Sequence, residues 1–260
     1  MNALSLLLLV VAPTGQESPR QVTAAGLVSK MFAHYALSKS VAGTMRLVET
    51  AMNVSREVDV TLAYERPDYF FLDEKALDGK TPETKIVSDG INVAYSLAQT
   101  VLNRAPRAIE SMHPANKPAV TFNDLYNFRK LITKVHCLPL DVAVGRVEDL
   151  SYVKGQLLSF SLGNKESVNG RDAYRIDGQW ADQPTHPVEG YFAMWITDDG
   201  ELVRFIRKMN FAVPATWLRA HKLPLDAFPN GVETDGVWDV NLKVDVPVNH
   251  DIFRVYQTTP

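Results

Sequence analysis

The sequence predicts an α+β fold, in which an antiparallel β-sheet is covered by an N-terminal helix and carries a helical insertion between its two halves. The first observation is the alternation between Val237 and Val246, which puts apolar side chains on one face and polar ones on the other. The second is the segment 20–38, whose apolar residues recur at steps of three and four. The third is a series of short turns, which is typical of strands that pair antiparallel with their neighbours.

In the N-terminal half, the predicted helix carries one apolar stripe: Ala24, Leu27, Val28, Met31, Phe32 and Tyr35. Five strand-like segments follow it, at residues 43–52, 54–64, 69–73, 85–88 and 91–97. Arg66-Pro67-Asp68 separates the second and third of these strands, because proline has no N–H to donate to a sheet. Asp89-Gly90 predicts a hairpin turn, since glycine accepts the positive φ of a tight turn.

In the middle of the chain, residues 103–139 lose the alternation and show helical spacing instead, with prolines between the helical pieces. We therefore expect a helical insertion there. Further strands are predicted at residues 150–162, 173–176, 191–197, 202–211, 237–246 and 252–256. Val168-Asn169-Gly170 and Asp198-Asp199-Gly200 predict turns between them, and residues 214–229 predict an irregular flap.

The N-terminus predicts export from the cytoplasm. The apolar run from Leu4 to Ala12 is shorter than a membrane-spanning helix needs and suits the core of a signal peptide, expected over residues 1–15. A buried N-terminal strand is the alternative. Residues 16–260 then form one domain, which we expect to be soluble and periplasmic or secreted. The whole chain has an ordinary globular composition, 46% hydrophobic and 22% charged. A net charge of -3 gives no reason to expect a nucleic-acid partner.

No catalytic motif stands out in the sequence. The six histidines are scattered, and the nucleophile, phosphate-binding and dinucleotide-binding motifs that would mark a common enzyme do not occur. His136 and Cys137 are the one candidate pair of base and nucleophile, but adjacent side chains usually point apart. The sequence therefore predicts a protein that is not an enzyme and that uses no cofactor or metal.

The apolar face of the sheet is the candidate binding surface. The alternation and the helix stripe place ten candidate ligand-binding residues there: Met31, Tyr35, Val58, Val60, Leu62, Leu158, Phe160, Tyr174, Trp238 and Val240. Ile176 and Leu242 are expected on the same, concave side. The residues expected to face water are Asp59, Thr61, Ser159, Ser161, Arg175, Asp239 and Lys243.

Two interpretations of that face remain open. The apolar residues form either a cavity for an acyl chain or an ordinary packed core. In the second case the protein would be an envelope sensor or interaction module, and the insertion would recognise another envelope protein.

Several short motifs occur in a recognisable order. Residues 66–70 (Arg-Pro-Asp-Tyr-Phe) precede the hairpin 86–95, and residues 168–174 precede Met194-Trp195-Ile196-Thr197 and the turn at Gly200. A helix at 22–37 comes before the first strand, and residues 248–260 close the chain. This order resembles the outer-membrane lipoprotein carrier superfamily, and residues 101–106 with the insertion resemble a periplasmic subgroup of it.

The resemblance implies a half barrel of the eleven-strand type with helices as its lid. It also implies a chaperone-like protein that binds lipid or lipoprotein acyl chains and catalyses no reaction. The lipoprotein carrier has a buried arginine near its first strands, and Arg46 and Arg56 both lie in the corresponding region.

Overall fold

The described part of the chain forms a single open antiparallel sheet with a few short helices, which confirms the α+β class. The structure is a computed structural model that describes residues 22–51, 54–77, 84–90, 93–96, 138–145, 157–180, 190–213 and 215–254. Ten strands lie within these ranges: β1 Ser40–Ala51, β2 Val54–Glu65, β3 Tyr69–Ala76, β4 Thr84–Asp89, β5 Val93–Ser96, β6 Leu157–Val168, β7 Arg171–Trp180, β8 Gly190–Thr197, β9 Leu202–Phe211 and β10 Val232–Val244.

The sheet consists of two meanders joined by one long-range pairing. The strand order is β5-β4-β3-β2-β1-β10-β9-β8-β7-β6, so β1 and β10 meet at the centre. That seam runs antiparallel from Val41 opposite Val244 to Ala51 opposite Thr234. Gly43 lies in it with φ of 148°, and a Cβ there would stand 2.1 Å from the backbone oxygen of Asn241. The seam therefore requires glycine at this position.

Within the same described ranges, three α-helices and one 3-10 helix accompany the sheet: α1 Ala24–Ala36, α2 Leu138–Val144, α3 Ala215–Ala220 and the 3-10 helix His250–Phe253. Thr23 caps α1, since its hydroxyl accepts a hydrogen bond from the backbone N–H of Gly26 at 3.1 Å. The six residues of the predicted stripe are all buried. Pro139 lies in the first turn of α2, where its missing N–H costs nothing.

The two faces of the sheet differ as the alternation predicts. We call the face beneath α1 and α2 the inner face and the opposite one the outer face. Val58, Val60, Leu62, Ile176, Trp238, Val240 and Leu242 are buried in one core cluster with α1. On the outer face Asp59, Thr61, Arg175 and Lys243 are exposed, and Asp239 is half-buried. The burial of Leu62, at 1% exposure, confirms the predicted orientation of β2.

The prediction for Leu158 is wrong because β6 carries a bulge at Ser159. Leu157 lies opposite the buried Trp180, so Leu158, opposite Gln179, points to the outer face. Ser159 has a positive φ of 48°, and the register shifts before Phe160, which lies opposite Gly178 on the inner face. Leu158 and Phe160 therefore lie on opposite faces of the strand, and both are exposed, at 45% and 37%.

Two other predicted elements differ from the structure. A strand over residues 252–256 is wrong for Ile252 and Phe253, which belong to the 3-10 helix, because the Asn249 side chain accepts from the backbone N–H of Asp251. The flap 214–229 is partly helical, since it contains α3. The predicted insertion 103–139 lies outside the described residues except for Leu138 and Pro139, which begin α2.

Candidate functional site

Most of the candidate ligand-binding residues on the inner face are buried. Seven of the ten candidate ligand-binding residues are at most 6% exposed: Met31, Tyr35, Val58, Val60, Leu62, Trp238 and Val240. A side chain that lined an empty cavity wide enough for water would keep accessible surface there. In this structure these seven residues therefore belong to the buried core cluster that also contains the apolar residues of α1.

The other three candidates lie toward the β6 edge of the sheet. Phe160 meets Phe192 edge to face, with ring centroids 6.3 Å apart. Tyr174 packs against the core in a half-buried position, and the Lys165 ammonium lies 5.1 Å from its ring centroid. Leu158 faces the other way. Apolar surface of the inner face is thus accessible at this edge, in the neighbourhood of Phe160.

Arg66 connects the two helices that cover the inner face. Its side chain donates to the backbone oxygens of Ser38 at 2.8 Å and Tyr35 at 3.1 Å, at the C-terminal end of α1. The same guanidinium donates to the Gly145 oxygen at 3.1 Å, just after α2. Its carbon lies 5.0 Å from the ring centroid of Tyr64 on β2. One side chain between β2 and β3 thus ties α1 and α2 to each other and to the sheet.

Sequence reasoning missed Arg66, since Arg66-Pro67 predicts only a break between strands. Neither Arg46 nor Arg56 is buried. Arg46 is 52% exposed on the outer face, where it pairs with Glu57 at 2.6 Å. The one signal in the sequence is that Arg66 lies beside a predicted turn, from which the chain returns toward the end of the helix. That signal does not show which groups the Arg66 side chain contacts.

Tyr35 and its neighbours fasten α1 to the turn between β8 and β9. The Tyr35 hydroxyl accepts a hydrogen bond from the Leu202 backbone N–H at 3.2 Å, and burial raises the pKa of this phenol to about 12. Lys30 donates to the backbone oxygen of Asp198 in the same turn. His34 contacts the Tyr35 ring edge to face, and its burial lowers the pKa of the imidazole despite the nearby Glu201 and Asp199.

A second concave surface lies on the outer face, and we call it the outer groove. Its volume is about 710 Å³. Strands β1, β2, β3 and β10 and the tip of the β6–β7 hairpin line it: Thr44, Met45, Arg46, Asp59, Val60, Thr61, Asp73, Lys75, Asn169, Arg171, Asp239, Val240 and Asn241. The sequence placed Asp59, Thr61 and Asp239 on the wet face, but not the groove that they share.

Charges alternate along one row of this outer face. Lys75, Asp59, Arg46, Asp239 and Arg204 are register partners on the consecutive strands β3, β2, β1, β10 and β9. The Arg204 side chain reaches the Asp239 carboxylate at 2.7 Å. Opposite charges in direct cross-strand positions stabilise the pairing of strands. The row therefore also supports the register of the seam.

The described residues offer no grouping that would hold a metal ion. Over the described ranges, no three His, Cys, Asp or Glu side chains come together in a manner that would hold a metal ion. Nor does any helix in this part of the chain have the length and apolar character needed to cross a membrane. The candidate pair His136 and Cys137 lies outside the described residues.

Comparison with known proteins gives structural likenesses only. No family model matches the sequence, and no curated protein matches it. Among solved structures, the lipoprotein LppX from Mycobacterium tuberculosis is similar with a TM-score of 0.37 and 13% identity, over 88% of this chain and 100% of that one. LprF from Mycobacterium bovis gives a TM-score of 0.41 and 14% identity, over 87% and 94%.

A LolA superfamily protein from Nitrosomonas europaea is similar with a TM-score of 0.32 and 12% identity, over 90% of this chain and 99% of that one. A protein described as a member of the LolA superfamily is thus among the solved structures that resemble this chain in fold. Likenesses this weak transfer no ligand, partner or activity to the present chain.

Proposed function

We propose that the protein is a non-enzymatic binding protein of the bacterial envelope, which takes up an apolar chain such as a lipid or lipoprotein acyl chain between its sheet and its covering helices. The observation that carries the proposal is the set of hydrogen bonds by which Arg66 joins the ends of α1 and α2. The cover of the inner face consists of separate short helices, and one partly buried side chain joins their ends by three hydrogen bonds to backbone oxygens. Release of that side chain would loosen both helix ends together, while Tyr35 and Lys30 still fasten α1 to the β8–β9 turn.

The free energy that α1 gains by packing on the inner face is comparable with the free energy that an acyl chain would gain there. Burial of the six apolar residues of α1 contributes on the order of 10 kcal/mol at about 2 kcal/mol for each side chain. An acyl chain gains about 0.8 kcal/mol for each buried methylene, so about a dozen methylenes supply a similar amount. A long acyl chain can therefore replace the helix contacts, whereas a short one cannot.

Export brings the protein to such ligands. We propose that residues 1–15 act as a signal peptide and that the remaining domain works in the periplasm or outside the cell. Sequencing of the N-terminus of protein recovered from the envelope fraction tests this. A mature chain that begins between Pro13 and Gln16 supports export, and a chain that keeps Met1 contradicts it.

The direct test compares Arg66→Gln with Arg46→Gln in protein purified from its own compartment. Arg66→Gln leaves two helix ends without their charge-assisted bonds, so hydrogen exchange at residues 33–38 should accelerate and the bound lipid should change in amount. Arg46→Gln removes an exposed outer-face arginine and should alter neither quantity. Native mass spectrometry and lipid extraction give the lipid content. If neither the purified protein nor the Arg66 variant ever holds lipid, an apolar ligand is excluded.

The second candidate function is a protein-interaction module with a solid core. The observation that favours it is the low exposure of seven inner-face candidates, at most 6% each. Here the helices would be permanent core elements, and binding would take place on the outside of the molecule. Lipid-free protein that keeps its helices protected from exchange in both variants would support this function over the first.

A further inference from the structure

We propose that the outer groove is a binding site for a neutral, polyhydroxylated ligand, a short saccharide. It lies on the face opposite the helices and does not depend on the apolar ligand proposed for the inner face. Its volume of about 710 Å³ falls within the range of small-molecule sites. The walls of the groove are fixed by ion pairs and packing, and the charges of its lining have partners within the protein.

The hairpin wall of the groove is held in place. Arg171 pairs with Glu201 at 3.2 Å, and Lys243 pairs with the same carboxylate at 3.0 Å. Burial would raise the pKa of Glu201, but hydrogen bonds from Lys243 and Arg171 outweigh it and lower that pKa below its ordinary value. Asn169 donates to the Asp239 carboxylate at 3.1 Å, which ties the hairpin tip to β10. These contacts make the groove a preformed feature of the fold.

Apolar packing supports the same wall from behind. Val168 at the hairpin tip is buried in a small outer-face cluster with Ala173, Ala193, Trp195 and Val203. The Trp195 indole N–H donates to the Glu166 carboxylate on β6. The hairpin thus packs on the outer face of β8 and β9, and its tip cannot swing freely across the groove.

The charges of the groove are balanced by partners within the protein. Its lining holds three cations and three carboxylates, Arg46, Lys75 and Arg171 with Asp59, Asp73 and Asp239. Arg46 pairs with Glu57 and lies 4.0 Å from Asp59, Lys75 lies 3.5 Å from Asp73, and Asp239 pairs with Arg204. A charged ligand would have to compete with these pairs, whereas a neutral one need not.

The remaining hydrogen-bonding groups suit hydroxyls. Thr44, Thr61 and Asn241 bring hydroxyl and amide groups that both donate and accept. Asp59 is an exposed residue of the lining, and its carboxylate oxygens accept hydrogen bonds. A hydroxyl donates one hydrogen bond and accepts others, so a sugar ring can use the carboxylates and the amides of this lining together. Sites built in this way reject analogues that lack the hydroxyl.

NMR titration of the full chain tests the proposal with maltotriose, triacetylchitotriose and trehalose as probes. At least one probe should shift the backbone amides of Thr44, Thr61 and Asn241 in a saturable manner. Thr61→Trp fills the groove and should abolish these shifts. Thr50→Trp is the matched control. Thr50 lies on β1, on the same outer face of the sheet as Thr61 but outside the groove, so this variant should bind the saccharides as the unchanged protein does.

Three results would overturn the proposal. The first is the lack of a saturable shift with every saccharide, and the second is an equal loss in the Thr50 and Thr61 variants. The third is tighter binding of glycylglycine or inorganic phosphate than of any sugar, which would show that the site takes charged ligands. Because the readout lies on the outer face, none of these results bears on lipid content, and the two functions fail separately.

Discussion

The inner and outer faces are made by the same strands, yet they differ in what a ligand must do to reach them. On β2, Leu62 is 1% exposed beneath the helices, whereas its neighbour Thr61 is exposed in the outer groove. The inner face is apolar and buried over most of β2 and β10, so the binding proposed there would require the helices to move. The outer face is polar and open, with walls fixed by ion pairs. One alternating strand pattern thus carries both proposed sites, of which the inner one would have to open and the outer one is preformed.

The largest effect that distinguishes the faces is expected from a charge placed on each. Leu62→Asp puts an unpaired carboxylate into the core and should lower the free energy of unfolding by about 4 kcal/mol or more. Ser55→Asp, at an exposed position of the same strand, should stay within about 0.5 kcal/mol. Urea denaturation measures both. A Leu62→Asp protein of normal stability would show that water already reaches the inner face.

Tyr35 gives the inner face a dependence on pH. The pKa of the Tyr35 phenol is raised to about 12 in the folded protein. The contribution of this group to the free energy of unfolding is therefore fully present below pH 10 and is lost as the pH rises toward 12. Over that window the unfolded chain has released the proton and the folded one has not, which costs about 1.4 kcal/mol per pH unit. Tyr35→Phe should be less stable at pH 8 but should lose less stability above pH 10. Parallel pH profiles for the two proteins would contradict the assignment.

The smallest effect concerns the bulge that separates Leu158 from Phe160. Phe160→Ser removes a ring that packs on Phe192 and should cost about 1 to 2 kcal/mol, reduced by its partial exposure. Leu158→Ser should stay within about 0.5 kcal/mol, because that side chain faces solvent on the outer side. Thermal unfolding of the two variants measures both losses of stability. Equal losses in the two variants would mean that β6 runs without a bulge.

The face of the sheet to which each side chain points could be predicted wherever a strand is regular. The alternation of β2 and β10 placed Val58, Val60 and Trp238 correctly, because a period of two admits one buried face. It failed at β6, where Leu158 and Phe160 read as one stripe and Ser159 breaks the period with a positive φ. Serine carries no strong preference for that conformation, so the residue type gave no warning.

The candidate sites depend on contacts that no local pattern contains. Arg66 reaches Gly145, a residue far along the chain, through a hydrogen bond that only the folded sheet permits. The outer groove likewise needs the pairing of β1 with β10 and the arrival of Asn169 beside Asp239. The sequence predicted which side chains face water, while their assembly into a groove follows from topology.

The seam between β1 and β10 sets an order of events for a chain that emerges from its N-terminus. β1 can pair with β2 as soon as both are out, but its other edge has no partner until β10 follows, near the end of the chain. An unpaired edge is a template for pairing with other chains. Arg46 on β1 places a charge on this edge and Gly43 weakens its strand character. Arrest of synthesis or translocation before residue 232 should therefore leave an association-prone meander, and completion of β10 should remove that tendency.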